Sequence, residues 1–396
     1  MDLIPKPDQL VAAASNLATG VLYGGVADLR PMARTQMASG DRWELYHYRP
    51  RRTVREDEDP VLLVTPLAAP AICYDLRRGC SLVEHLVEVD RPTYLVEYSR
   101  VSFADRALGM EHWVDGVVPD TIREVSRHAG GRPVHVVGWS LGGIFSLLAA
   151  AGGKELPIAS IVALGSPADT SKVPIIAPIR PILSLDTGLA TRLYRMLGGA
   201  PQPFVRAAFQ LSGLQSLLTK PFVRAMSLDD RDHLAQLEAV ERFMDQMTAY
   251  PGRTFGQIYH RMIKGNELRD GALELGGRFL ELSAIDVPVL VVAGNTDGIA
   301  PIEAVRPLTR LLSGSPEVRL EIVPGGHLGL LTGRAARSTT WPALDEWFDD
   351  VAAREPVARG ERARTPAADS SAGGRSIGTD PKRRYGSKSS RGLAPQ

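Results

Sequence analysis

The sequence predicts an α/β fold, with a mostly parallel central sheet, helices on both faces and an inserted helical cap. Three observations predict it. Short apolar runs rich in Val, Ile and Leu recur along the chain and alternate with stretches at helical spacing. Most of these runs end at Gly or Pro. The alternation breaks from about Lys172 to Leu282, where Pro-punctuated apolar stretches and helical patterns replace strands, and it then resumes. Strands alternating with helices imply parallel pairing and a sheet covered on both faces.

The elements follow in order. Residues 1–40 carry weak helical patterning and are expected to form a helical N-terminal extension. Trp43–Tyr48 alternates and reads as an early strand, followed by a charged turn over 51–59. Val61–Thr65 is a buried-type strand stopped by Pro66. Ser81–Val89 has helical spacing, and Thr93–Glu97 is the next strand. Glu111–His128 reads as a long helix closed by Gly130 and Gly131. Then come the strand from Val134, the helical run Ile144–Ala151 and the strand Ile158–Leu164. Helices are expected at Asp229–Met247 and Thr254–Lys264, strands at Pro288–Ala293 and Val318–Val323, and a closing helix at Trp341–Ala353. The expected organisation is a core of residues 41–171 and 285–353, a cap over 172–284, and a tail over 354–396.

Composition narrows the function. The 396 residues carry a net charge of +1, which gives no global pull toward nucleic acid. The tail holds ten Lys/Arg against four Asp/Glu and is rich in Arg, Ser, Gly and Pro. It lacks the apolar surface to offset its ordering entropy and is expected to be disordered. Its Lys382–Arg384 cluster could touch an acidic partner or an anionic membrane surface, though a solvated tail is the simpler reading. Cys73 and Cys80 match neither a redox pair nor a zinc half-site and are expected to be reduced thiols in a cytoplasmic protein. No apolar run reaches membrane-span length, and the uncharged stretch 9–27 lacks the basic flank of a signal peptide. No cofactor or metal is expected.

The segment Val134–Gly143 carries the chemistry. Gly138-Trp139-Ser140-Leu141-Gly142 has the form G-x-S-x-G between an apolar strand and a helix. In that context the pattern marks a sharp turn that lifts a serine hydroxyl clear of the sheet. The competing readings are a glycine-rich turn with a helix-capping serine, and a dinucleotide turn; the G-x-G-x-x-G spacing of the latter is absent. A nucleophilic serine needs a base, and the base needs an orienting group. Asp297 follows the Pro288 strand in a Gly-rich turn, and His327 follows the Val318 strand after Gly325 and Gly326. Both therefore lie beyond the carboxyl ends of parallel strands. The order Ser140, Asp297, His327 is the chain order of an α/β-hydrolase triad. Asp169, after the Ile158 strand, competes for the acid position. The other histidines read as core or surface residues; His233 and His260, in the cap, could contact substrate but are not assigned to the site. The N–H of Leu141 is one expected oxyanion donor. The second is expected from Leu67 or Ala68, in the loop after Val61–Thr65.

With these residues placed, the chain from about Trp43 to Phe348 resembles the polyhydroxyalkanoate synthase branch of the α/β-hydrolase superfamily, in a serine-nucleophile, lipase-like form of actinobacterial type. Asp75–Val83 is similar to that family's D-L-R-x-x-x-S-L-V stretch, and Glu111–Val117 to its acidic helix start. Tyr250–Phe255, then Tyr259, Asn266, Leu268 and Gly271, resemble its cap exit, and Leu282–Leu290 its return to the core. Two positions depart from the pattern. The family normally has cysteine where Ser140 stands, and histidine where Gly298 follows the catalytic aspartate. Cysteine suits chain growth from acyl-CoA, whereas serine gives the oxygen ester usual in hydrolases. The leading expectation is therefore a serine hydrolase of lipid-type acyl esters or thioesters. The alternative is a synthase-like acyltransferase using hydroxyacyl-CoA. A third reading, from another class, is an inactive scaffold that binds acyl chains or coats a lipid or polymer inclusion. The expected partner is a small acyl ester or acyl-CoA; association with a lipid or polymer inclusion, and a homodimer, stay open.

Overall fold

The computed structural model describes residues 7–49, 58–153, 155–174, 176–177, 196, 199–203, 205–207 and 227–362. Eight strands form the central sheet: β1 (Arg34–Gly40), β2 (Trp43–Tyr48), β3 (Val61–Val64), β4 (Thr93–Tyr98), β5 (Val134–Trp139), β6 (Ile158–Leu164), β7 (Val289–Gly294) and β8 (Val318–Val323). Their spatial order is β1-β2-β4-β3-β5-β6-β7-β8. β1 and β2 pair antiparallel with each other, and β2 pairs antiparallel with β4. From β4 to β8 every pairing is parallel. This is the α/β-hydrolase fold.

The central strands form because their residues suit a surface buried on both sides. Every residue of β3, β5 and β7 is buried. Apolar side chains on alternate positions feed two cores, one on each face. Val134 and Val136 of β5 join Phe145 and Leu148 on one face, while Val137 and Trp139 join Trp347 and Phe348 on the other. Helices α2 (Leu82–Glu88), α3 (Val118–His128), α4 (Leu141–Ala151) and α6 (Thr340–Arg362) cover the sheet, with α5 (Arg231–Asp245) between β6 and β7 in sequence. Ser81 caps α2, its hydroxyl accepting the N–H of Glu84 at 3.0 Å.

Several expectations need correction. The N-terminal 1–40 segment is not helical throughout. Helix α1 spans Pro7–Tyr23, and Arg34–Gly40 is an edge strand. Its residues are at most half-buried, so no apolar alternation announces it. The stretch expected to be strand-free contains a hairpin, Ala272–Leu275 with Arg278–Glu281, whose Leu273, Leu275 and Leu280 are buried. Gly276 and Gly277, at φ 59° and 79°, supply the left-handed two-residue turn it requires. The helix expected at Glu111–His128 begins as a wider π-type turn over His112–Val117. The closing helix passes the expected tail boundary and runs to Arg362. Much of the expected cap, and the rest of the tail, lie outside the described residues. Among the described residues, no helix is long and apolar enough to cross a membrane.

The family-like stretches prove to be fasteners. Arg77 is buried and holds the start of α5, donating to the Asp232 carboxylate at 2.7 Å and to Gln236 at 3.0 Å. The Asp75 carboxylate accepts the N–H of Met32 at 2.7 Å and the hydroxyl of Ser81 at 2.7 Å, and it pairs with Arg78. Glu111 accepts from Arg253 at 2.8 Å and from Gln257 at 2.9 Å, joining the π-type turn to the stretch that resembles the cap exit.

Candidate active site

The geometry begins at the turn from β5 to α4. Ser140 has φ 55° and ψ −121°, a strained conformation for a residue with a Cβ. The surroundings impose it. A Cβ on Gly138 would run into the backbone of Gly143, and one on Gly142 would run into the carbonyl of Val64. Two glycines therefore allow strand and helix to pass at a distance closed to other residues. The backbone is tied on both sides of the serine Cα: Ser140 N–H donates to Leu164 O at 2.7 Å, and Ser166 Oγ donates to Ser140 O at 2.8 Å. The serine itself is only half-buried.

His327 and Asp297 converge on it. His327 Nε2 lies 2.9 Å from Ser140 Oγ, and His327 Nδ1 lies 2.8 Å from Asp297 Oδ2. Both partners are buried. The other carboxylate oxygen of Asp297 accepts the backbone N–H groups of Ile299 and Ala300, each at 2.8 Å. Burial pushes the Asp297 carboxyl upward, but the charge and hydrogen bond of His327, aided by the two N–H groups, outweigh it. The net effect holds the carboxyl below its ordinary value. An ionised Asp297 fixes the proton on His327 Nδ1, which leaves Nε2 free to accept the serine proton.

Sequence reasoning missed the groups that hold the histidine. Trp139 Nε1 donates to His327 O at 2.9 Å, and the two rings lie 5.0 Å apart. Phe243 of α5 packs edge-on against Trp139 at 6.0 Å. Trp139 occupies a variable position of G-x-S-x-G, so the motif gives no signal for this role.

The remaining candidates separate. Leu141 is the first residue of α4, and the N–H there has no intrahelical acceptor. Leu67 and Ala68 are buried in the turn after β3; Ala68 has φ 70° and accepts the N–H of Thr248 at 2.9 Å. The carbonyls of Val64 and Thr65, just before that turn, abut Gly142. Asp169 is engaged elsewhere. Its Oδ1 accepts Asn266 Nδ2 at 2.8 Å and the N–H of Ser171 at 3.0 Å. Asp169→Asn should thus leave turnover within a few fold of wild type. A loss as large as that of Asp297→Asn, measured by ester turnover, would move the acid to Asp169. His135 is buried between Ser160 and Phe348, where burial pushes its pKa down to about 3 and keeps it neutral. His85 binds Asp345, His112 the carbonyl of Asp41, and His128 the hydroxyl of Tyr94. His233 donates its backbone N–H to Asp230 at the start of α5, and His260 packs on Tyr259.

Comparison with known proteins fits this architecture. Residues 80–334 match the family described as the alpha/beta hydrolase fold. The chain belongs to that family. Within it, this hydrolase-fold protein is similar to the poly(3-hydroxyalkanoate) polymerase subunit PhaC of Allochromatium vinosum, at 26% identity over 314 residues, 79% of this chain and 87% of that one. It is similar also to PhaC of Thiocystis violacea, at 24% identity over 353 residues, 87% of this chain and 98% of that one. The resemblance to the polyhydroxyalkanoate synthase branch is thereby supported along most of the chain. Among solved structures, the esterase RhEst1 from Rhodococcus sp. ECU1013 is similar, with a TM-score of 0.48 and 15% identity, covering 81% of this hydrolase-fold protein and 100% of the esterase.

Proposed function

We propose that this protein is a serine acyltransferase of the polyhydroxyalkanoate-synthase branch, working through an acyl-enzyme on Ser140. The observation that carries the chemistry is the continuous relay from Ser140 through His327 to Asp297. The relatives weight the outcome toward transfer: the two described above are polymerase subunits by name. That reverses the preference for hydrolysis drawn from Ser140 and Gly298.

In this reading, Ser140 Oγ attacks the acyl carbonyl as its proton passes to His327 Nε2. The carbonyl oxygen becomes an oxyanion, received by the N–H of Leu141 and an N–H of Leu67 or Ala68. Each such donor contributes about 3–4 kcal/mol to lowering the barrier. The intermediate collapses as the bond to the thiol or alcohol breaks, and His327 returns the proton to that leaving group. An acceptor hydroxyl then gives its proton to His327 and attacks the acyl-serine; the bond from the acyl carbon to Ser140 Oγ breaks, His327 returns the proton to Ser140 Oγ, and the acyl group leaves on the acceptor. Residues 172–284 would act as the cap that shelters the acyl chain, in a cytoplasmic protein. A 3-hydroxyacyl donor fits, because its own hydroxyl can serve as the next acceptor.

Hydrolysis is the second reading, favoured by Ser140 in place of cysteine and by Gly298 after Asp297. Water would then replace the acceptor hydroxyl in the second half. One incubation with 3-hydroxybutyryl-CoA separates the readings. Release of free CoA together with oligoester is the expected result. Release of CoA with only the free hydroxy acid would establish hydrolysis. No release, and no labelling of Ser140 by a fluorophosphonate, would leave the inactive scaffold.

A further inference from the structure

We propose that Tyr74 is a positioning residue for the acyl-transfer site, its hydroxyl tying the strand that carries the nucleophile to the strand that leads into the oxyanion loop. The inference rests on the serine-acylation reading above and concerns a residue outside the relay.

Tyr74 follows a short 3-10 turn, Ala71–Cys73, in the long connection after β3. Its side chain is fully buried and returns beneath that connection to the sheet. The hydroxyl accepts the N–H of Trp139 at 2.9 Å. It lies 2.9 Å from Val64 O and 3.2 Å from Val137 O, and its single proton goes to these carbonyls. Burial pushes the phenol well above its ordinary range, so the group stays a neutral donor and acceptor.

The location gives the contact its meaning. The β3–β5 ladder ends at the pair Val64 and Gly138. Beyond it, β3 turns away at Thr65 and Pro66, while β5 continues to Trp139. The Trp139 N–H would then face the interior without a strand partner. The Tyr74 hydroxyl is inserted between that N–H and Val64 O, the β3 carbonyl in register to receive it. Because Ser140 N–H is bound by Leu164 O on the other side, both peptide planes flanking Trp139 are held. Their orientation sets the positive φ at Ser140. The same hydroxyl holds Val64 O, the atom against which Gly142 abuts. One oxygen therefore spaces the Leu141 N–H, at the start of α4, from the loop bearing Leu67 and Ala68.

Losing the tie should loosen the oxyanion donors and leave substrate affinity alone. Tyr74→Phe is expected to lower kcat for an acyl ester by roughly 10- to 100-fold, as a small misplacement at the reacting centre does. KM should stay within about twofold, since no substrate contact is lost. The acidic limb of the pH profile should not move, because His327 and Asp297 keep their bond. Hydrogen exchange should quicken at the Trp139 amide, a readout independent of activity. Thermal unfolding of both proteins corrects the rates for folded fraction. An unchanged kcat, a loss confined to KM, or unchanged exchange at Trp139 would overturn the proposal. Wild-type protein that takes no fluorophosphonate label at Ser140 would overturn the acylation reading and the positioning role together. A labelled wild type with an unaffected Tyr74→Phe variant would overturn the positioning role alone.

Discussion

Replacing Ser140 by alanine is expected to abolish fluorophosphonate labelling and to lower acyl turnover by on the order of a million-fold. The relay has one nucleophilic atom, and the substitution removes it. What survives is the background from bound substrate, the oxyanion donors and water. The fold should survive as well. The side chain is half-buried, and its recorded side-chain bond is the one to His327. Deleting one such bond costs about 1 kcal/mol of stability. The backbone ties to Leu164 and Ser166 do not involve the hydroxyl. Thermal unfolding and turnover should therefore separate cleanly: a similar midpoint, and almost no product. Turnover within tenfold of wild type would mean that another group attacks.

Asp297→Asn and His327→Ala should each lower kcat by roughly three or more orders of magnitude, and joining His327→Ala to Ser140→Ala should add little to either single change. The histidine has no function once the hydroxyl is gone, so the losses overlap. Asparagine at 297 would keep the N–H bonds from Ile299 and Ala300 through its carbonyl oxygen but turn an amide toward His327 Nδ1. That favours the wrong tautomer, with the proton on Nε2 facing Ser140. The pH dependence follows from the same pair. The folded Asp297 carboxyl is held below its ordinary value, so its pairing with His327 is fully present above the ordinary carboxylate range. That contribution fades as pH falls through the lowered value. A stability difference between wild type and Asp297→Asn that stayed constant as pH falls through the acidic range would contradict this, as would additive losses in the double variant.

The sequence made the parallel core legible because its strands are short, β-branched and stopped by glycine or proline. For that reason the sequence alone places Ser140, Asp297 and His327 at strand ends. The edges were harder. β1 is half-exposed along its length and carries Arg34, Thr35, Gln36 and Ser39, so its pairing with β2 leaves no period-two signature. The hairpin at 272–281 is only four residues per strand, too short to stand out from the helices before it. The choice between Asp297 and Asp169 depends on which side chain meets His327, and spacing cannot express that. Nor could the motif stretches reveal their use. In the sequence Asp75, Arg77 and Glu111 are only charged residues in a family-like pattern. The structure instead engages them in binding segments together.

That division of labour bears on how such a protein could change over generations. The fasteners at Asp75, Arg77 and Glu111 form their recorded bonds with Met32, Arg78, Ser81, Asp232, Gln236, Arg253 and Gln257, none of them in the relay. Exchanging the attacking oxygen for sulfur would break none of those bonds. The scaffold and the reaction can therefore drift separately. A lineage could alter its chemistry by a single codon while its recognisable signature stays whole, and a signature of this kind records ancestry more faithfully than it records trade.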